Sequence, residues 1–205
     1  MRRITLVFMV SAMPLFAAAE AWAGSLPPKA PPTVVNAASL AGSTLSDGKG
    51  VAAVNEAAGH DNVQANSDAI ANGGQATATI HQQLSATVTG VAANTARIGG
   101  EAFARFSGIL NVNQAAGSAN LEANSVTVAR SLTPLSLSQL MAIAPPVKQI
   151  NDVQLPATAA GHRAVTVADN ALSGVTGIAQ VSQTAGSGNS LSNSVALNIS
   201  AGMRP

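Results

Sequence analysis

A 22-residue unit occurs three times in this chain, and no other feature restricts the fold as much. The copies begin at Gly50, Gly108 and Gly177 and read GVAAVNEAAGHDNVQANSDAIA, GILNVNQAAGSANLEANSVTVA and GIAQVSQTAGSGNSLSNSVALN. They align without a gap, and seven columns are identical in all three: Gly50/Gly108/Gly177, Val54/Val112/Val181, Ala58/Ala116/Ala185, Gly59/Gly117/Gly186, Asn62/Asn120/Asn189, Asn66/Asn124/Asn193 and Ser67/Ser125/Ser194. A fixed internal pattern marks each copy as one structural unit that stacks on its neighbours. A site that does chemistry once per molecule has no use for such repetition, whereas a surface or fibre built by adding layers does.

Each unit reads as strand–turn–strand. Apolar residues alternate along the first arm, best seen in Leu110-Asn111-Val112-Asn113. Ala-Gly-x-x-Asn supplies the turn: its glycine permits positive φ, and its asparagine tolerates the left-handed region or bonds locally to the backbone. Recurrent Gly and Asn also argue against a helix in the Ala-rich first copy. Stacked in register, like residues lie about 4.8 Å apart. The Asn columns then form amide ladders, and the Ala and Val columns a dry interior. Charge is kept out of register with like charge, since Glu56 falls over Gln114 and Gln183, and Asp68 over Val126 and Val195. The expected fold is all-β: a repetitive β-solenoid or cross-β stack of strand–turn–strand layers from three imperfect repeats, with partly disordered connectors.

The expected organisation is a signal peptide (1–23), a leader (24–49), repeats at 50–71, 108–129 and 177–198, connectors at 72–107 and 130–176, and a C-terminal tail (199–205). Arg2 and Arg3, the apolar run Ile4 to Ala19, and Ala21-Trp22-Ala23 have the pattern of an export signal cleaved before Gly24. No later segment is long and apolar enough to cross a bilayer. The leader holds Pro27-Pro28 and Pro31-Pro32 and reads as extended and largely disordered. A short helix is expected around Leu135 to Ile143, stopped by Pro145-Pro146. Phe106-Ser107-Gly108 and Leu172-Ser173-Gly174 suggest a further strand upstream of the repeats.

Composition explains why such a chain needs a repetitive backbone. Of 10 basic residues, Arg2 and Arg3 lie in the signal, and of 9 acidic residues Glu20 does, so the mature chain is formally neutral. No basic patch suggests nucleic acid, and low net charge favours association. There is no cysteine to staple an exported fold. Phe103 and Phe106 are the only aromatic residues after position 23, and Ala buries little area, so an ordinary globular core would be weak. Hydrogen bonding in a repetitive sheet must do more of the holding.

The residues give no support for catalysis, a cofactor or a metal. His60-Asp61 lies in the turn of the first copy, but the equivalent positions are Ser118-Ala119 and Ser187-Gly188. His81 and His162 have no zinc-type spacing. Nucleophile-elbow, phosphate-loop and calcium nonapeptide patterns are absent. Glu56 and Asp61 across their turn read as a solvated surface, not an acid–base pair.

The pattern Val-Asn-x-Ala-Ala-Gly-x-x-Asn-x-x-x-Asn resembles the repeats of Fap-type functional amyloid subunits, and more distantly those of curli. Val54-Asn55-Glu56-Ala57-Ala58-Gly59 with Asn62 and Asn66 carries it, as does Val112-Asn113-Gln114-Ala115-Ala116-Gly117 with Asn120 and Asn124. The third copy departs at Ser182 and Thr184. The resemblance implies passage through an outer-membrane secretion machinery, with the periplasm as a transit compartment. It also implies assembly with itself and with related subunits into extracellular cross-β fibres, and a role in biofilm matrix or surface adhesion. Fap-type major subunits usually carry a Cys-x-x-Cys near the C-terminus, which this chain lacks, so a minor or nucleating subunit stays open. Two other readings are a monomeric capped β-solenoid adhesin and a periplasmic accessory protein of a fibre-secretion system. One further expectation concerns substitution: Asn120→Asp should disturb the stack, and Asn151→Asp, in a connector, should do little.

Overall fold

The computed structural model describes residues 8–9, 34–73, 75–88, 92–131, 147–154 and 161–200. Their regular structure is entirely strand. In chain order these are β1 (Phe8–Met9), β2 (Val34–Leu40), β3 (Lys49–Ala58), β4 (Val63–Asn72), β5 (Ile80–Thr87), β6 (Ala92–Ile98), β7 (Ser107–Ala116), β8 (Leu121–Ser131), β9 (Val147–Gln154), β10 (Arg163–Val167), β11 (Thr176–Ala185) and β12 (Ser190–Ser200). The expected helix around Leu135 to Ile143 lies outside the described residues.

The chain winds through three rungs. The first is β2–β5, the second β6–β9 and the third β10–β12. Corresponding strands pair in parallel, giving sheets in the order β2-β6-β10, β3-β7-β11, β4-β8-β12 and β5-β9, with β1 on the outer edge of β3. Pairing is in register throughout: Gly50 meets Gly108 and Gly108 meets Gly177, and Asn66 meets Asn124 and Asn124 meets Asn193. The result is a β-solenoid-like stack whose middle rung is covered on both sides. Leu110, Val112, Leu121 and Val126 of that rung are 0% exposed.

The strand period of two sorts the side chains. On β3, Ala52, Val54 and Ala58 face the β2-β6-β10 sheet, and Asn55 faces the β4-β8-β12 sheet. The β3-β7-β11 sheet is therefore a central layer with two different faces. Its first face holds the main apolar cluster, in which Ile98, Phe103, Leu110 and Val112 are fully buried. Fully burying such a side chain contributes about 1.5–3 kcal/mol, so the few large residues of an Ala-rich chain are pooled in one place. Beyond them Ala38, Ala96 and Ala116 let the two sheets close together. The second face is an amide network built on Asn55 and Asn113. The β5-β9 sheet covers the far side of the β4 sheet through Leu84, Ala119 and Leu121.

The dry interior expected of the repeated valine column holds for its first two members and not for its last. Val54 and Val112 are buried, but Val181 is only half-buried against the same apolar cluster. Its register is as expected, opposite Val112. The difference is physical and local: β11 is the outermost strand of its sheet, so no further rung stacks over Val181 to exclude water. Identity of sequence therefore fixes where Val181 lies but not how deeply it is covered.

The stacked unit is longer than its sequence signature. The leader and both connectors contribute β2, β6 and β10, which pair through Asn36 with Asn94 and Arg163 with Asn94. The turns between these strands and the central sheet also stack, through Leu45 N–H donating to Ala102 O (2.7 Å) and Phe103 N–H to Ala171 O (2.9 Å). Residues 34–48 are thus ordered, unlike the disordered leader expected from its prolines, because a parallel partner at β6 satisfies their backbone. The upstream strand suggested by Phe106 and Leu172 exists. Those two residues nevertheless lie in the turn that follows it, and Leu172 stacks in the column of Phe103. Asn151 is not in a loose connector: it belongs to β9, opposite Leu84, and its Nδ2 donates to Gly188 O at 2.9 Å.

Candidate functional site: amide ladders and open rung ends

The repeated asparagines form directional ladders that run along the stack. Asn120 Nδ2 donates to Asn62 Oδ1 (2.9 Å), and Asn189 Nδ2 donates to Asn120 Oδ1 (2.9 Å). Backbone N–H groups of Asn120 and Asn189 add bonds of 3.1 Å to the same oxygens. The second amide hydrogens run the other way, from Asn62 to Gly117 O (2.8 Å) and from Asn120 to Gly186 O (3.0 Å). These asparagines therefore tie rung to rung instead of bonding locally. The left-handed position of the turn falls one residue earlier, at Asp61 (φ 56°), Ala119 (φ 60°) and Gly188 (φ 74°).

A second network lies between the arms of each unit. Asn66 Nδ2 donates to Asn55 Oδ1 (2.8 Å), Asn124 Nδ2 to Asn113 Oδ1 (2.8 Å), and Asn193 Nδ2 to Ser182 Oγ (3.1 Å). Rungs are cross-linked by Asn113 Nδ2 to Asn55 Oδ1 (3.0 Å) and Asn193 Nδ2 to Asn124 Oδ1 (2.9 Å). Ser182, where the third copy departs from Asn, keeps its place by donating to Asn124 Oδ1 at 3.0 Å. In the low-dielectric interior each such bond is stronger than in water, and each missing one is costly. Ser67, Ser125 and Ser194 stack in the same sheet, where Ser125 Oγ donates to Ser67 O at 3.2 Å.

Two glycine columns set how closely the rungs approach. Gly50, Gly108 and Gly177 have φ of 109°, 136° and 109°. A Cβ on Gly108 would strike Gly50 O, and one on Gly177 would strike Gly108 O. In the Gly59/Gly117/Gly186 column the collision runs in the opposite direction, from Gly59 onto Gly117 O and from Gly117 onto Gly186 O. The Ala58/Ala116/Ala185 and Val54/Val112/Val181 columns stack on the apolar face, with Val181 the partly uncovered member of its column. All seven identical columns are thus brought together across the three rungs.

Sequence reasoning missed three parts of this arrangement. Gln149 Nε2 donates to Gln82 Oε1 (2.8 Å), and Asn36 Nδ2 donates to Asn94 Oδ1 (2.8 Å). The signal for Asn36 and Asn94 was identity at the 58-residue spacing of the first two repeats, outside the compact unit, whereas Gln82 and Gln149 are 67 residues apart and match neither repeat spacing. The third is Glu122, a buried carboxylate in the middle rung. Burial pushes its pKa up to about 7, opposed by hydrogen bonding from Gln64 and Thr184. Gln64 Nε2 reaches Glu122 Oε2 at 2.8 Å. Glu122 Oε1 and the Thr184 hydroxyl are both enclosed, and neither makes a hydrogen bond of ordinary length and angle. Burial also raises the pKa of Asp68, although Asn111 donates to it.

The ends of the stack differ from its middle. On the third rung Val165 is 51% and Val167 42% exposed, although their column mates Ala96 and Ile98 are fully buried. On the first rung a cavity of about 310 Å³ is lined by Leu40, Leu45, Gly48, Ala52, Val54 and Phe106, among others. Phe106 is its floor and belongs to the second rung, so the cavity opens toward the free end. The ring of Phe106 occupies the room beside Gly48, where a Cβ would lie 2.8 Å from Phe106 Cδ2. Among the described residues, outer backbone edges remain on β2, β4, β5, β9, β10, β11 and β12, and on β3 except where β1 pairs with Ala53 and Val54.

Among the described residues no three His, Cys, Asp or Glu side chains gather as a metal site, and no helix is long and apolar enough to cross a membrane. What the geometry supplies is a ladder of donors and acceptors with two unfinished ends. No solved structure matches the chain. Its sequence matches the functional amyloid protein FapB/FapC family over residues 19–200, nearly its whole length, and the chain belongs to that family of functional amyloid proteins.

Proposed function

We infer that this chain is a secreted structural subunit whose copies add head to tail, third rung onto first, into extracellular amyloid fibres of a biofilm matrix or adhesive surface. One observation carries the reading: every repeated column is in register through three rungs, yet both end rungs keep open parallel edges. Continuing the register sets Val167 of one copy over Leu40 of the next, Leu172 over Leu45 and Val175 over Gly48. It likewise sets half-buried Val181 over Val54, giving Val181 the cover that its column mate Val112 has within the molecule. Residues left exposed at one end thereby enter the apolar cavity at the other. Asn189 Oδ1 would accept from Asn62 of the incoming copy as Asn120 Oδ1 accepts from Asn189. Open edges of this kind are the natural template for another chain.

The N-terminal export pattern supports passage across the cell envelope, and family membership supports use of a dedicated outer-membrane machinery and co-assembly with related subunits. Removal of residues 1–23 would also free the edge of β3 that Phe8 and Met9 occupy. The test is incubation of purified 24–205 without denaturant, followed by thioflavin T fluorescence and electron microscopy, with and without preformed seeds. Seeded growth of unbranched fibrils is the expected result. A monomeric, β-rich solution after prolonged incubation would overturn it and favour the capped adhesin.

A further inference from the structure

One ladder of the central sheet, complete within the molecule, ends acceptor against acceptor at the joint between copies. The column is Glu56, Gln114 and Gln183. Gln114 Nε2 donates to Arg97 O (3.0 Å) and to Glu56 Oε2 (2.7 Å). Gln183 Nε2 donates to Thr166 O (3.3 Å) and to Gln114 Oε1 (2.6 Å). Each glutamine spends both amide hydrogens on its sheet neighbour and on the preceding rung. Its carbonyl oxygen is thereby turned toward the following rung. At the last rung this leaves Gln183 Oε1 buried without a hydrogen-bond partner.

In a head-to-tail stack the residue that follows Gln183 is Glu56 of the next copy. A carboxylate has no hydrogen to give. It does not even repeat the glutamine pattern within its own rung, since its Oε1 accepts from Ser39 N–H at 2.7 Å. Acceptor would therefore meet acceptor once per joint, whereas every joint inside the molecule pairs donor with acceptor. The Asn62 and Asn66 columns have no such break.

We propose that Glu56 weakens the joint between copies, so that this chain's end-to-end association is set below the strength its other columns would give. The proposal rests on the head-to-tail reading and adds a residue that tunes it. Glu56→Gln restores the column: the introduced amide has one hydrogen for Ser39 O, as Gln114 has for Arg97 O, and one for Gln183 Oε1 of the adjoining copy. Removing one buried unpaired acceptor per joint corresponds to about fivefold or more in an equilibrium.

The experiment compares the chain processed at the signal cleavage point with its Glu56→Gln and Glu101→Gln variants. Monomer remaining at the plateau of wild-type-seeded assembly is measured at one fixed neutral pH. Glu101→Gln changes net charge identically at an exposed turn away from the joint. The expected result is about fivefold less residual monomer for Glu56→Gln and little change for Glu101→Gln. Wild-type fibres with residual monomer equal to or below that of Glu56→Gln, or an equal gain from Glu101→Gln, would overturn the proposal and leave the fibre reading standing. Fibres from Glu56→Gln alone would support it. Absence of fibres from every chain would overturn both.

Discussion

Replacing Glu122 with glutamine should stabilise the folded stack above neutral pH and change it little in acid. Glu122 is 0% exposed, in the most enclosed rung. Burial lifts its pKa from the ordinary 4.5 to about 7. A carboxyl whose folded pKa is raised binds more protons folded than unfolded between those two values. Stability therefore falls as pH rises through that window, and above it the loss is constant. Taken from 4.5 to about 7, the loss is about 3 kcal/mol. The hydrogen bonds from Gln64 and Thr184 act in the opposite sense, favouring the ionised form, but burial outweighs them.

Glutamine has no charge to bury at any pH and still accepts from Gln64. The assay is guanidinium denaturation of the stack, followed by far-ultraviolet circular dichroism at pH 4.5 and pH 8. With a denaturant dependence of about 4 kcal/mol per molar, the variant's midpoint at pH 8 should lie about 0.7 M above the wild type's. At pH 4.5 the two should nearly coincide. Asp68, raised by burial in the same sense, leaves the variant a residual slope. An unchanged pH dependence, or a variant weaker at pH 8, would refute the reasoning.

Gly50→Ala should fold, because its Cβ meets nothing within 4 Å in the single chain, yet it should not form fibres, because in the head-to-tail joint that Cβ strikes Gly177 O of the neighbour. Gly108→Ala, which strikes Gly50 O within the molecule, should lose about 3 kcal/mol or more and fail to give the β-rich circular dichroism signal. Asn120→Asp should destabilise by about 3 kcal/mol in denaturation at pH 7, because a buried acid there loses its donations to Asn62 and Gly186. Asn72→Asp, exposed at the end of β4 beside Arg130, should stay within about 0.5 kcal/mol and is a sounder control than the hydrogen-bonded Asn151. Phe103→Ala should cost about 3–5 kcal/mol by thermal melting, as the largest fully buried side chain.

The sequence made the register legible because seven columns align without a gap, and parallel pairing converts identity at a fixed spacing directly into contact. What it hid follows from the same physics. Burial does not repeat with the letter, as Val181 shows beside Val112, because cover comes from the next rung and the last rung has none. The strands β2, β6 and β10 share little identity, since Leu40, Ile98 and Val167 need only be apolar to stack. The turn holding Leu45, Phe103 and Leu172 pools bulk without one residue type running through all three rungs. The polar face of the central sheet escapes sequence reasoning because alternation shows only that two faces differ. What Asn55 and Asn113 face emerges only once β4 and β8 bring Asn66 and Asn124 against them.

That polar interior accounts for the fidelity of the stack. A strand that slips by one residue exchanges its two faces. On β7 this would push Asn111 and Asn113 into the cluster of Ile98 and Phe103 and leave Leu110 and Val112 among amides. Every hydrogen bond between the Asn55 and Asn66 columns would break at once, each leaving buried groups whose burial unpaired costs about 1–3 kcal/mol. A slip by two residues keeps the faces but moves Gly108 off Gly50, setting a Cβ where only hydrogen fits. Apolar columns of Ala and Val would tolerate either shift at small cost, because their contacts have little direction. The amides and glycines therefore specify the register, while the pooled side chains around Phe103 stabilise it. A growing end built this way accepts an incoming rung in one alignment.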